Sequence, residues 1–312
     1  MIDRIQTSIT RRGLIAGAAT MAAALAGCSG GEGAAGGSSA AAGSASDGGA
    51  RTLRVAMELA YPPFETKDDA GNPSGVSVTF MQDFADAYGY DLQIDNISFD
   101  GLIPSLQTGK ADAVMSSITI TSEREEKVDF TDPYAMAQLA ILAGADSGVE
   151  QAEDLNQADK TVAVKTGSTG DVYATKNLAN AQILRLADES ACVTEVAQGR
   201  ADGFLYDQLT IYRNNLANPD TTRAVFIPFQ DPEAWGIAVA SGNDELREEL
   251  NTFIAESKEN GEFERLTEQY LADEKAAFDE LGFRWFFDFD DADAEGVAAS
   301  GADAEGAAEA DA

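Results

Sequence analysis

Residues 116–130 read SSITITSEREEKVDF, a run of hydroxyls that ends on one arginine, Arg124. A guanidinium is planar and permanently charged, and its fork of donors matches the two oxygens of a carboxylate. Ser117 and Thr119 would add hydroxyl donors beside it. Taken alone, Arg124 reads by default as a surface ion-pair partner for a neighbouring glutamate. Further on, GSTGD at 167–171 reads as the opening of a helix. There Thr169 and its neighbours either offer unpaired N–H groups and a positive dipole end to an anion, or simply form an N-cap. Asp207 closes ADGFLYD and is either a carboxylate facing a cation or the N-cap of the helix that follows. Glu58 and Lys165 are a further couple of opposite charge, with a structural ion pair as the plain alternative. Tyr61 and Phe99, as isolated residues, read as core aromatics.

Composition narrows what these groups can be for. The chain has 312 residues, 44% of them hydrophobic, enough for about two domains of ordinary size. It contains no histidine, which removes every Ser-His-Asp and Cys-His scheme, the HExxH zinc motif and the commonest proton shuttle near neutrality. No catalytic residue, cofactor or metal site is expected. With 21 Lys and Arg against 54 Asp and Glu, the net charge of -33 opposes phosphate backbones and anionic lipid surfaces, so nucleic acid is not an expected partner.

The two ends read as attachments rather than fold. TRRGLIAGAATMAAALAGC, ending at Cys28, carries Arg11 and Arg12 before an apolar run rich in Ala and Gly. Its last tetrad, Leu25 to Cys28, resembles a bacterial lipobox, whose cysteine is lipidated and becomes the new N-terminus, and its paired arginines resemble a twin-arginine export signal. The expectation is a signal peptide over 1–28, lipid on Cys28, and a flexible Gly/Ala/Ser linker over 29–50. The other cysteine, Cys192, is then without a partner for a disulfide and reads as a small buried side chain. At the far end, 276–291 is an aromatic extension that should dock on the domain, because Phe283, Trp285, Phe286, Phe287 and Phe289 would otherwise be exposed to water. An acidic tail rich in Ala and Gly, expected to be disordered, fills 292–312.

Between the ends, elements of two periods alternate. TLRVAMEL reads as a strand, the following GVSVTFMQDFADAYGY as a helix with Thr79 and Gln82 as a capping box, and DLQIDNI as a strand. A short helix near 102–107 and the strand ADAVMSSI complete a parallel sheet covered on both faces. A second unit of the same kind starts at TVAVKTG and runs through AQILRL, ADGFLY and AVFIPF. Two α/β lobes imply a cleft where strand carboxyl ends and helix N-termini converge.

Several stretches in order resemble the family 3 extracytoplasmic solute-binding proteins, the receptors of amino acid ABC transporters. They are YPPFE, FDGLIPSLQTGKADAV, SSITITSERE, VDFTDPY, VAVKTGSTG, GRADGFLYD and WGIAVASGNDELREELN, spread over about 52–272. The resemblance implies an α/β, two-lobed periplasmic binding protein-like II fold, the Venus-flytrap arrangement with two crossing hinge strands. Lobe 1 would be 51–138 plus 236–275 and lobe 2, with the hinges, 139–235, the crossings lying near 138–142 and 236–240. It also departs from the family pattern: Ser77 and Thr79 stand where acids are usual, and the tail is longer.

By the same resemblance, Arg124, Ser117, Thr119 and Thr169 would hold the carboxylate of a free amino acid, and Asp207 its ammonium. Tyr61 and Phe99 would flank the side chain. Glu58 and Lys165 match the acid and lysine of glutamine-binding members, an arrangement that can satisfy a neutral amide, so glutamine is expected first and glutamate or another polar amino acid next. The implied protein is a lipid-anchored monomer on the outer face of the cell membrane that hands its ligand to an ABC transporter permease. Two other readings remain: a dehydratase-like periplasmic enzyme on the same fold, with Glu58 as general acid or base, and a ligand-sensing surface lipoprotein.

Overall fold

The computed structural model describes residues 51–290. The expected signal peptide, lipidated Cys28, linker and acidic tail lie outside the described residues.

Two five-stranded sheets organise the chain. In the first, the order is Tyr90–Asn96, Arg51–Met57, Ala113–Val114, Ala238–Val239, Asp129–Phe130. In the second it is Gln182–Leu186, Thr161–Lys165, Gly203–Asp207, Leu139–Gly144, Thr222–Val225. Three neighbouring strands of each sheet run parallel, as the helix-strand alternation dictates. Neither sheet is all parallel, which corrects the expectation from sequence. Ala238–Val239 runs antiparallel to both of its neighbours, and so does Leu139–Gly144. The cause is the double crossing between lobes: each of these strands enters its sheet from the other lobe, at the carboxyl ends of the parallel strands, and so runs against them.

The crossing itself is a two-stranded antiparallel pair, Ala135–Ala137 with Glu233–Trp235. It lies about three residues before the places where the sequence suggested it. Residues 139–144 are all buried and bonded on both edges within the second sheet, which leaves only the shorter preceding segment to act as a connector.

One large apolar cluster packs the helices Val76–Tyr88, Asp244–Asn260 and Glu262–Tyr270 on the first sheet through Phe80, Phe84, Leu250, Ile254 and Leu266. The first of these helices starts at Val76 with Gly75 as its N-cap, and no side chain caps it. The capping box expected at Thr79 does not form; the Thr79 hydroxyl is within 2.7 Å of the Tyr270 hydroxyl instead. In the second lobe, Val162, Val164 and Leu205 pack on one face of the sheet and Ala163, Phe204 and Ile211 on the other.

The chain then runs through the helix Ala272–Leu281 into the aromatic segment, which docks. Trp285 and Phe286 are buried, and the Phe286 ring lies 5.2 Å from Phe64 and 5.3 Å from Trp235 of the crossing pair. The amide of Met136 in the partner crossing strand donates to the carbonyl of Phe286 (2.8 Å). Phe283 meets Phe226 of the second lobe at 4.7 Å.

Candidate functional site

The parallel strands of both sheets end at one cavity. Arg51–Met57 delivers Glu58, Ala113–Val114 leads to Ser116 and Ser117, and Gly203–Asp207 ends on Asp207 itself. The geometry follows the rule for open α/β sheets, in which ligands sit beyond strand carboxyl ends. The cavity is narrow, its walls enclosing a volume of about 30 Å³, about that of a single water. Eight of the nine residues singled out from sequence line it: Glu58, Tyr61, Phe99, Ser117, Thr119, Arg124, Thr169 and Asp207. Lys165 is the exception. It is 1% exposed and forms an ion pair with Glu58 Oε2, out of the lining, with its Nζ 5.1 Å from the Phe99 ring centroid and 5.8 Å from that of Tyr206.

Arg124 sits in the one-turn helix Ser122–Glu125, capped by the Thr121 hydroxyl. Its guanidinium spans the cleft: Nη1 donates to the Thr119 carbonyl (2.6 Å) and Nη2 to the Gly167 carbonyl of the second lobe (3.1 Å). Among the described residues no carboxylate pairs with it within salt-bridge distance, so the surface ion pair that the sequence allowed is not what forms there. The neighbouring Glu123 takes Lys127 instead (2.8 Å).

Facing Arg124, the helix Thr169–Asn177 begins with Ser168 as its N-cap, the Ser168 hydroxyl accepting from Asp171 N. Gly170 allows this first turn to lie against the strand Gly203–Asp207, because a Cβ there would stand 2.4 Å from the Leu205 carbonyl oxygen. The helix N-terminus is thereby held at the cavity wall, with its dipole favouring an anion.

Asp207 reconciles both sequence readings. Its Oδ1 accepts from the amides of Leu209 and Thr210 (3.0 Å each) and caps the helix Gln208–Ala217. Its Oδ2 is buried with no donor at full hydrogen-bond geometry, although the Tyr61 hydroxyl is near enough to pull the carboxyl's pKa down. Burial raises the carboxyl's pKa, and the helix amides pull it back. An unmet buried carboxylate oxygen costs free energy unless a cation or donor arrives. The Tyr61 hydroxyl is buried without a partner as well.

Ser117 lines the cavity, and its hydroxyl is engaged by a buried carboxyl. It has φ +47, the only positive φ of a non-glycine residue among the described residues, a conformation that L residues adopt at some cost. Its hydroxyl donates to Glu65 Oε2 (3.2 Å), as does that of Ser77 (2.7 Å). Glu65 is fully buried, and burial pushes its pKa up to about 8 against the pull of those two hydroxyls. A carboxyl in this state holds its proton at neutral pH.

Sequence reasoning missed Glu65, although it quoted the YPPFE motif that contains it, because a carboxylate inside an apolar string gives no periodic signal. It also missed Glu233, Trp235 and Ser116. Glu233 Oε2 accepts from the hydroxyls of both Thr119 and Thr169 (2.9 Å each), and Gln230 Nε2 donates to its Oε1 (2.6 Å). Among the described residues no cluster of His, Cys, Asp or Glu is arranged to hold a metal ion.

Comparison with known proteins agrees with this geometry. The chain is 32% identical over 228 residues, 72% of its length and 84% of the relative's, to the "Probable histidine-binding protein" of Neisseria gonorrhoeae. Among solved structures, the ancestral amino acid-binding protein AncCDT-1, described as a precursor of cyclohexadienyl dehydratase, is 35% identical with a TM-score of 0.64, covering 70% of this chain and 94% of that one. An ancestral arginine-binding protein bound to glutamine is 34% identical with a TM-score of 0.64, covering 70% and 97%. The model of the bacterial extracellular solute-binding proteins, family 3, matches residues 53–273. The chain belongs to that family, with the two-lobed α/β fold of its structural neighbours.

Proposed function

We propose that this protein is the extracytoplasmic receptor of an amino acid ABC transporter, which captures one free amino acid between its lobes and passes it to a permease. The observation that carries the reading is the pairing across one cavity of Arg124, a guanidinium with no carboxylate within salt-bridge distance among the described residues, and Asp207, a buried carboxylate whose Oδ2 has only the Tyr61 hydroxyl beside it. A zwitterion supplies the complement of both. Its carboxylate would lie between Arg124, Thr119 and the N-terminus of the helix Thr169–Asn177, and its ammonium on Asp207 Oδ2. Tyr61 and Phe99 would border the side chain.

Glutamine is the first ligand, with glutamate and other polar amino acids next, because Glu58 lines the cavity as an acceptor for an amide and a structural relative is known bound to glutamine. A second reading, a cationic side chain, has one observation in its favour. Lys165 is neutralised by Glu58 and withdrawn from the lining, so its repulsion toward a cation is reduced. The dehydratase alternative is disfavoured by the same pair, since Glu58 is bound by Lys165 and accepts from the Phe99 amide (3.4 Å) rather than standing free as an acid. Lipidation of Cys28, anchoring to the membrane and a monomeric state complete the proposal, as do a lobe 1 of 51–138 plus 236–275 and a lobe 2 of 139–235.

Melting curves with each of the twenty amino acids test this directly, because a ligand that binds only the native state raises Tm by mass action. A hit should titrate with a micromolar or tighter Kd, about -8 kcal/mol or better. Glutamine ahead of arginine, lysine and histidine supports the amide reading and the reverse order the cationic one; no shift with any of the twenty rejects the receptor.

A further inference from the structure

The carboxylate of Glu233 lies where the two lobes and the crossing pair meet. It is buried, and a single oxygen, Oε2, takes one hydroxyl from each side of the cleft: Thr119 at 2.9 Å and Thr169 at 2.9 Å. Oε1 is held by Gln230 Nε2 (2.6 Å), and the Gln138 side chain in turn donates to the Gln230 carbonyl (2.8 Å). Glu233 is thus fixed in orientation by hydroxyls from both sides of the cleft and by Gln230. Thr119 and Thr169 are the same two hydroxyls that the receptor reading gives to the ligand's carboxylate. A threonine hydroxyl has one proton to donate, so it cannot serve two carboxylates at once.

We propose that Glu233 is an internal stand-in for the ligand's carboxylate, holding Thr119 and Thr169 together across the cleft, and that an amino acid is admitted by displacing it. The inference rests on the receptor reading of this cavity and adds to it an affinity-setting residue that makes no contact of its own in the ligand's favour. Once displaced, Glu233 has lost its two hydroxyl donors beside a second anion. It must then take up a proton or swing toward Gln230. Either adjustment opposes binding, so the native chain binds more weakly than its head-group contacts alone would allow. Arg124 is the charged side chain acting on Glu233, and the other titratable groups lining the cavity are Glu58, Tyr61, Glu65, Tyr206 and Asp207.

The test uses calorimetric titration of the best-binding amino acid from the melting screen into wild type, Glu233→Gln and Glu233→Ala. Both variants should bind more tightly, on the order of tenfold for loss of a like charge at short range. Because a protonated Glu233 is neutral, the difference between wild type and Glu233→Gln should shrink as pH is lowered. Reading that difference cancels the titration of Asp207 and Glu65, which both proteins share. Should the alanine variant fail to fold, the isosteric glutamine variant carries the test. Equal or weaker binding by Glu233→Gln overturns the inference while the receptor reading stands. If no amino acid binds the wild type, the receptor reading fails and the inference falls with it.

Discussion

Two buried regions share the crossing strands and are built on opposite principles. On one side lies the cavity, where Tyr61 Oη, Glu65 Oε1 and Asp207 Oδ2 are buried without partners. On the other lies the aromatic cluster of Phe64, Trp235, Phe278, Trp285 and Phe286, whose indole Trp285 Nε1 finds Thr267 Oγ1 at 3.2 Å. The cluster is apolar and closely packed, with ring centroids 5.2 to 5.7 Å apart for Phe64–Phe286, Trp235–Phe286 and Phe278–Phe286. Unmet polar atoms destabilise, while packed rings stabilise by burial and by edge-to-face contact. The difference teaches where stability and recognition reside: the cavity keeps its polar atoms unpaired for a ligand, and the C-terminal aromatic segment offsets part of that cost from the far side of the same two strands.

Breaking the apolar side should have the largest effect on stability. Phe286→Ala is expected to destabilise the fold by about 3–5 kcal/mol in urea unfolding, the range for deleting a buried aromatic ring. Ligand affinity of the folded fraction should change far less.

The converse holds at the cavity. Arg124→Ala and Asp207→Asn should each weaken amino acid binding by roughly a hundredfold or more in calorimetry, the usual cost of removing one member of a desolvated charge pair. Tm without ligand should change little, and for Asp207→Asn it should hold because the amide oxygen still caps the helix. Thr169→Val removes one hydroxyl at the helix start and should cost about tenfold in affinity, one ordinary hydrogen bond.

An effect on stability alone comes from Glu65. Its pKa rises on folding from the ordinary 4.5 to about 8, so the folded state binds a proton more tightly than the unfolded chain. The resulting stability is fully present below pH 4.5 and is lost as pH rises toward 8. Melting of Glu65→Gln should show a shallower decline over that window than wild type.

How much of this was legible in the sequence depended on whether a residue's role was local. Asp207 and Thr169 stand at strand and helix ends that are written in period and capping chemistry, but their placement at the cavity was readable only through the resemblance to the family. Arg124 follows from a segment that is itself contiguous. Glu65 and Glu233 were not readable, because each acquires its role from hydroxyls distant in the chain: Ser117 for Glu65, and Thr119 and Thr169 for Glu233. The mixed sheets were missed for the same kind of reason. Strand direction at 139–144 and 238–239 is set by the chain's passage between lobes, which no local pattern records. The capping box at Thr79 failed since a tertiary partner, Tyr270, was available to its hydroxyl.

The most direct measurement is a titration of wild-type protein with its best amino acid and with two altered forms, the methyl ester and the N-acetyl derivative. If Arg124 and Asp207 take the two ends of one zwitterion, blocking either end should weaken binding by about a hundredfold or more. Affinity retained by both derivatives would contradict the assignment.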